Sequence, residues 1–181
     1  MNDREIEQID TRVVYKNRWM TVREERVRWP DGNEGLFGII DKPDYALIVP
    51  FDGQEFHLVE QYRYPVAGRY WEFPQGSWEH DPNADPLEVA AGELAEETGL
   101  LAKSIERLGR LYQAYGYSNQ AVHVFLARGL VAGPQNLAAE EQGLLVKSFT
   151  PDEFDAMIGT GEISDISTVA AAHLYSRHVR Q

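Results

Sequence analysis

Three glutamates, Glu93, Glu96 and Glu97, stand at i, i+3 and i+4 in the run Gly92-Glu93-Leu94-Ala95-Glu96-Glu97-Thr98-Gly99. On a helix this spacing puts all three carboxylates on one face. Three like charges so close repel one another, and an arbitrary acidic triplet is usually a solvated helix surface. The context here favours chemistry. The triplet directly precedes a Thr98-Gly99 helix stop and follows a strand-loop-helix pattern that begins at Gly76. Closely set carboxylates are hard oxygen donors that suit Mg2+ or Mn2+, with the remaining positions taken by water and phosphate oxygens.

The elements that must position this face are legible around it. In PLEVAAGELAEETG, Asp85 is a plausible N-cap, Pro86 fits the first helical position and Gly99 is a C-terminal stop. Leu87, Ala90, Ala91, Leu94 and Ala95 fall at helical spacing and predict the buried stripe. Upstream, RVVYKN, MTVREERVRW and LFGIID read as three strands, the second ending at the turn Pro30-Asp31-Gly32-Asn33. YALIVPF, the Asp52-Gly53 turn and EFHLVEQYRY read as a hairpin at the centre of a sheet. Downstream, SIERLGRLY, AVHVFLARGL and GLLVKSFT read as strands, and two helices follow, one capped by Thr150 and one over STVAAAHLYSRHV. Strands with a long helix in mid-order and helices at the end predict an α+β class with an α/β/α layering.

Composition narrows the functions open to such a fold. At 181 residues one substantial core suffices, and no stretch has linker composition. A formal net charge of -12 argues against a sequence-independent grip on nucleic acid, so no nucleic-acid partner is expected. A small anionic substrate fits if cations supply local positive charge. There is no Cys, which excludes thiolate catalysis, disulfides and Cys-ligated zinc. The polar start MNDREIEQID and the lack of a long apolar run predict no membrane partner and a cytoplasmic protein.

The segment GSWEHDPNADPLEVAAGELAEETGL resembles the Nudix box, which runs from a Gly through a loop to Arg-Glu-apolar-x-Glu-Glu-x-Gly-apolar. Gly76 stands at its start, and Glu93, Leu94, Glu96, Glu97, Gly99 and Leu100 at its end. VRWPDG, LVEQYRYP, YWEFPQG, VFLARGL and GEISD further resemble the ADP-ribose pyrophosphatase branch of the Nudix hydrolases. The resemblance implies a Nudix-like α/β/α sandwich with a mixed sheet and an N-terminal antiparallel strand region. It divides the chain into residues 1–40, a strand region available for dimerisation, and 41–181, the catalytic part, within one compact unit. The implied activity is metal-dependent hydrolysis of a nucleoside diphosphate-linked compound, ADP-ribose foremost, to AMP and ribose 5-phosphate. A nucleotide-sugar or dinucleotide pyrophosphatase is the enzymatic alternative, and a weakly active nucleotide-binding sensor the alternative of another class.

By the same resemblance Gly76 (through its carbonyl), Glu93, Glu96 and Glu97 are the metal ligands, and homodimers are expected. Glu96 and Glu97 are catalytic candidates, joined by Glu141 as general base on the later acidic loop beside Glu140. Arg63, in EQYRYP, is a candidate for phosphate, with a surface ion pair to Glu60 or Glu72 as the equally weighted alternative. Glu72 resembles a residue near substrate, and Tyr115 is a candidate for stacking on a base.

Three departures from the family pattern stand out. The loop after Gly76 is two residues longer than the usual box, with Ala84 where an early Glu is expected. Gly92 replaces the box Arg, which removes a cation and weakens the helix by about 1 kcal/mol relative to Ala. Tyr115 stands where the ADP-ribose branch often has Pro, which loosens the choice of substrate more than the choice of family.

Overall fold

The computed structural model describes residues 5–78, 81, 84–137 and 143–180. In chain order the strands are β1 (Glu7–Lys16), β2 (Thr21–Arg28), β3 (Glu34–Asp41), β4 (Tyr45–Pro50), β5 (Phe56–Arg63), β6 (Gly68–Glu72) and β7 (Gln75–Gly76). After helix α1 (Pro86–Thr98) come β8 (Leu100–Leu101), β9 (Ser104–Tyr112), β10 (Ala121–Arg128), β11 (Val131–Ala132) and β12 (Leu145–Phe149). Helices α2 (Pro151–Thr160) and α3 (Ile166–His178) close the order. The chain divides into two compact units, residues 1–44 with 112–121 and residues 45–111 with 122–181.

The first unit is built on the antiparallel sheet β1-β2-β3. Its strands alternate charged residues that pair across the ladder: Arg12 with Glu24, Arg26 with Asp10, Arg28 with Glu7 and Glu34, and Arg23 with Asp41. Such exposed pairs set register more than they add stability. β1 begins at Glu7, five residues before the Arg12 start expected from RVVYKN, because these ion pairs continue the ladder where the apolar alternation has ended.

The second unit has a sheet ordered β7-β4-β10-β9 beside another ordered β12-β5-β6. β4 runs parallel to β10, with Leu47 opposite Val124 and Val49 opposite Leu126. Ala46, Leu47, Ile48 and Val49 are all buried, so β4 is covered on both faces. Ala46 and Ile48 point into the cluster that receives Val89, Ala90 and Leu94 of α1. Leu47 and Val49 point into the larger cluster, with Phe56, Leu58, Phe73, Phe154, Met157, Ile163 and Ala171. The α/β/α layering expected from sequence follows from that alternation: α1 covers one face, while α2, α3 and the β12-β5-β6 sheet cover the other.

Two expectations are corrected. β4 and β5 do not form a hairpin ladder; they join different sheets, with an isolated Phe51–Phe56 bridge at the turn between them and side-chain packing in the larger core. A strand buried on both faces is better served by a central place beside β10 than by the edge of a hairpin. The stripe on α1 is also rotated. Val89, Ala90, Glu93, Leu94 and Glu97 are its buried residues, whereas Leu87 is exposed for 41% of its surface and Ala91 is exposed. The caps stand as expected: Asp85 accepts from Leu87 N at 2.9 Å, and Gly99 at φ 68° donates to Ala95 O. Fully burying Val89 and Leu94 favours docking of α1 by about 1.5–3 kcal/mol each.

Candidate active site

The site is assembled where β6, the link Phe73-Pro74 and β7 pass in front of α1. Phe73 is fully buried and stacks on Phe154 with ring centroids 5.3 Å apart, which anchors the link in the larger core. Pro74 O accepts from Ile48 N at 3.0 Å, and β7 then pairs with β4, Gln75 opposite Leu47 and Gly76 opposite Ala46. The main chain of Gln75 and Gly76 is thereby brought against α1.

Glu97 is 1% and Glu93 6% exposed, so this is no solvated helix face. Glu97 Oε2 accepts from the backbone N–H of Gln75 at 3.0 Å. Glu93 lies against Gly76: a Cβ placed on that glycine would stand 2.4–2.5 Å from the Glu93 carboxylate atoms. The carboxylate occupies the space a side chain at 76 would need, which is the physical reason for glycine there. Glu96 is half-buried, and its carbonyl accepts from Asn136 N at 3.2 Å. Gln135 Nε2 donates to the Glu97 carbonyl at 2.7 Å, so the last turn of α1 has its exposed carbonyls met by the segment after β11.

Gly92 gives a local reason for the missing box arginine. A Cβ at this position would lie 2.7 Å from Cζ2 of Trp78, so the indole rests on the bare helix backbone where a longer side chain would stand. Trp78 packs against the same cluster as Val89 and Leu94.

A third buried carboxylate, Glu72, ends β6 and is 2% exposed. Gln61 Nε2 donates to its Oε1 at 2.9 Å, and Arg63 pairs with it through Nη2 and through Nε, the latter at 3.2 Å from Oε2. Burial raises the Glu72 pKa, the Arg63 guanidinium opposes this, Asp165 adds to it and the Gln61 amide lowers it. Of the two partners weighed for Arg63, Glu72 is the one it meets; Glu60 pairs with Arg69 instead. Tyr45, whose OH is 2.7 Å from Ser167 Oγ, has its phenol pushed up to about 12, chiefly by burial.

Of the residues singled out in the sequence, the fold gathers Gly76, Glu93, Glu96 and Glu97 at α1, and Arg63 with Glu72 at the ends of β5 and β6. Tyr115 belongs to the other compact unit, where it is 85% exposed. Glu140 and Glu141 lie outside the described residues. Sequence reasoning passed over Gln61, Gln75, Trp78, Asp165 and Thr168. Asp165 could have been found as the N-cap of α3, whereas nothing local marks Gln75, which is held by residues far along the chain.

A family model described as "NUDIX domain" matches residues 41–170. The chain belongs to the NUDIX family. A second model, "Nucleoside diphosphate sugar hydrolase N-terminal domain", matches residues 6–40 of this Nudix chain. It is 29% identical to "ADP-ribose pyrophosphatase" of Mycobacterium tuberculosis (strain ATCC 25618 / H37Rv), over 98% of this chain and 86% of the relative. It is 27% identical to "ADP-ribose pyrophosphatase" of Bacillus subtilis (strain 168), over 87% and 85%, and 28% identical to "Methanol dehydrogenase activator" of Bacillus methanolicus, over 90% and 88%. Among solved structures, "Crystal structure of ADP compounds hydrolase" superposes with a TM-score of 0.87 at 19% identity, covering 98% of this chain and 95% of that one. The Nudix resemblance and the α+β sandwich read from sequence both hold, and the enzyme class is that of a Nudix pyrophosphohydrolase.

Nudix hydrolases generally use divalent metal ions, and the donor set at α1 can be tested against that. Among the described residues no group of three or more His, Asp or Glu side chains could by itself hold a metal ion. Two buried carboxylates facing the backbone of β7 nevertheless fit a hard cation, since Mg2+ is commonly held by one or two carboxylates and completed by water and substrate phosphate rather than by a full protein cage. Among the described residues no helix is long and apolar enough to cross a membrane.

Proposed function

We propose that the chain hydrolyses the diphosphate bond of a nucleoside diphosphate-linked compound, ADP-ribose foremost, releasing AMP and ribose 5-phosphate in the presence of Mg2+ or Mn2+. The observation that carries this reading is the burial of Glu93 and Glu97 against Gly76 and Gln75. Two buried carboxylates on one helix face, set against the backbone of β7, are hard oxygen donors of the kind that Mg2+ and Mn2+ take. A divalent ion held by Glu93, Glu97 and the Gly76 carbonyl, and completed by water and substrate phosphate, would neutralise the diphosphate and polarise the phosphorus under attack.

The chain's own residues would do the rest. Glu97 is oriented by the Gln75 N–H, and Glu93 is confined by its contact with Gly76, so both are held ready before substrate arrives. Arg63 is fixed by Glu72 while 40% of its side chain stays exposed, which suits a guanidinium that binds phosphate oxygens. The general base is assigned to a glutamate, Glu96 or Glu97 on α1 or Glu141 further along the chain. ADP-ribose is preferred because two relatives that match almost end to end carry that substrate in their names. A similarly distant relative is named for activation of another enzyme, so a substrate panel belongs in the test. Residues 1–40 serve as the dimerising part and 41–181 as the catalytic part; exposed Val13, Val14, Leu36 and Phe37 on β1 and β3 support a homodimer, which light scattering would check.

The deciding experiment measures AMP released from ADP-ribose with Mg2+ and then Mn2+, for the native chain and Glu97→Gln, beside nucleotide sugars and dinucleotides. We expect turnover that falls by at least about a hundredfold in the variant. A folded native chain that cleaves no diphosphate compound would refute the hydrolase reading. Faster cleavage of a nucleotide sugar than of ADP-ribose would move the substrate assignment and leave the chemistry in place.

A further inference from the structure

Gln75 is held at both its main chain and its side chain. Its N–H donates to Glu97 Oε2 at 3.0 Å, and its Nε2 donates to Asp165 Oδ2 at 3.2 Å. Asp165 is the N-cap of α3, and the same oxygen accepts from Thr168 N and Thr168 Oγ1, each at 2.8 Å. Thr168, fully buried, receives the backbone N–H of Phe73 on its Oγ1 at 3.0 Å. The segment Phe73-Pro74-Gln75 is therefore pinned to the first turn of α3 at two points, while its opposite side carries the glutamates of α1.

The pinning matters because β7 is short. It has two residues and two register pairs with β4, which orient a strand loosely compared with a longer ladder. Beyond it the chain leaves the sheet at Ser77. The direction of the Gln75 N–H, and hence the place of the Glu97 carboxylate, depends on what else grips residue 75. The side-chain bond to Asp165 is the grip that the structure supplies, and its acceptor is itself locked by two donors from Thr168.

We infer that Gln75 and Asp165 form a positioning pair that orients the Glu97 carboxylate through the Gln75 main chain and so sets the affinity of the α1 site for a divalent cation. This rests on Glu97 being a ligand of that cation, as proposed above. Neither residue touches the ion; each acts through another. Second partners of this kind, when removed, typically weaken metal binding by about 10–100-fold, and an indirect main-chain coupling belongs at the lower end of that range.

The test is Mn2+ binding to the whole chain without substrate, read as free Mn2+ by electron paramagnetic resonance, with thermal unfolding alongside. Gln75→Met keeps the stem of the side chain and loses the donor. Asp165→Ser keeps a capping hydroxyl for Thr168 but is too short for Gln75. Each single variant is expected to raise the Mn2+ dissociation constant by about tenfold, and the double variant by no more than either single, because both cut one connection. Gln75→Ala provides a second removal of the donor should the thioether pack poorly. Binding within twofold of native in Gln75→Met and Gln75→Ala, while Glu97→Gln binds weakly, overturns the positioning role and leaves the metal site standing. Additive losses in the double variant also overturn the pairing. Native-like binding by Glu97→Gln removes the ligand assignment, and the inference with it.

Discussion

Substituting Gly76 by Ala tests whether the contact between β7 and Glu93 belongs to the reaction. The added Cβ would lie 2.4 Å from Glu93 Oε1 and 2.5 Å from both Cδ and Oε2, where ordinary van der Waals contact begins at 3.4 Å. The carboxylate must therefore retreat by about 1 Å. It is the end of a flexible side chain, so the helix need not shift, but at 6% exposure Glu93 has little room to retreat without leaving its present place. A displacement of about 1 Å in a reacting constellation can cost about a hundredfold in rate. We expect Gly76→Ala to lower kcat/KM for ADP-ribose by about that factor and to weaken Mn2+ binding, with a melting temperature within a few degrees of native. Gly159→Ala is the control: nothing lies within 4 Å of the place its Cβ would take, and alanine near the end of α2 should leave turnover unchanged and stability equal or slightly raised. Steady-state kinetics and thermal melts on the two variants decide the matter. Full turnover and native Mn2+ affinity in Gly76→Ala would refute the argument that Glu93 must hold its place against β7.

Gly92→Arg restores the family's box residue, yet its Cβ would meet Trp78 at 2.7 Å; we expect displacement of the indole, seen as a change in tryptophan emission, and no gain in turnover. Activity above native would show instead that the missing cation limits this enzyme. Glu72 gives a prediction in pH. Its pKa in the folded chain is raised above the ordinary 4.5, so between 4.5 and the folded value the native state binds more protons than the unfolded one, and stability from this group falls as pH rises through that window. The unfolding free energy of the native chain minus that of Glu72→Gln should therefore decline from about pH 4 upwards, then level off. A difference that grows with pH would mean that the Arg63 pair outweighs burial.

The sequence by itself carried the box, the boundaries of α1, its caps at Asp85 and Gly99, the capping Thr150 of α2 and most strands, because each depends on residues a few positions apart. Helical spacing also put Glu93 and Glu97 on one face. It could not show that this face is buried, since i and i+4 spacing describes a solvated stripe equally well; the decision came when Val89, Ala90 and Leu94 docked on Ala46 and Ile48 and turned the glutamates toward β7. The same limit explains the misread hairpin. YALIVPF and EFHLVEQYRY are adjacent in sequence, but β4 found its partner in β10, more than seventy residues away, and only the tertiary fold reveals such a parallel pairing. Gln75 and Asp165 are ninety residues apart and meet through side chains whose local patterns say nothing of each other. What the tertiary structure decided is which carboxylates leave water and what holds them once they have, because burial and long-range hydrogen bonds depend on the whole packed chain.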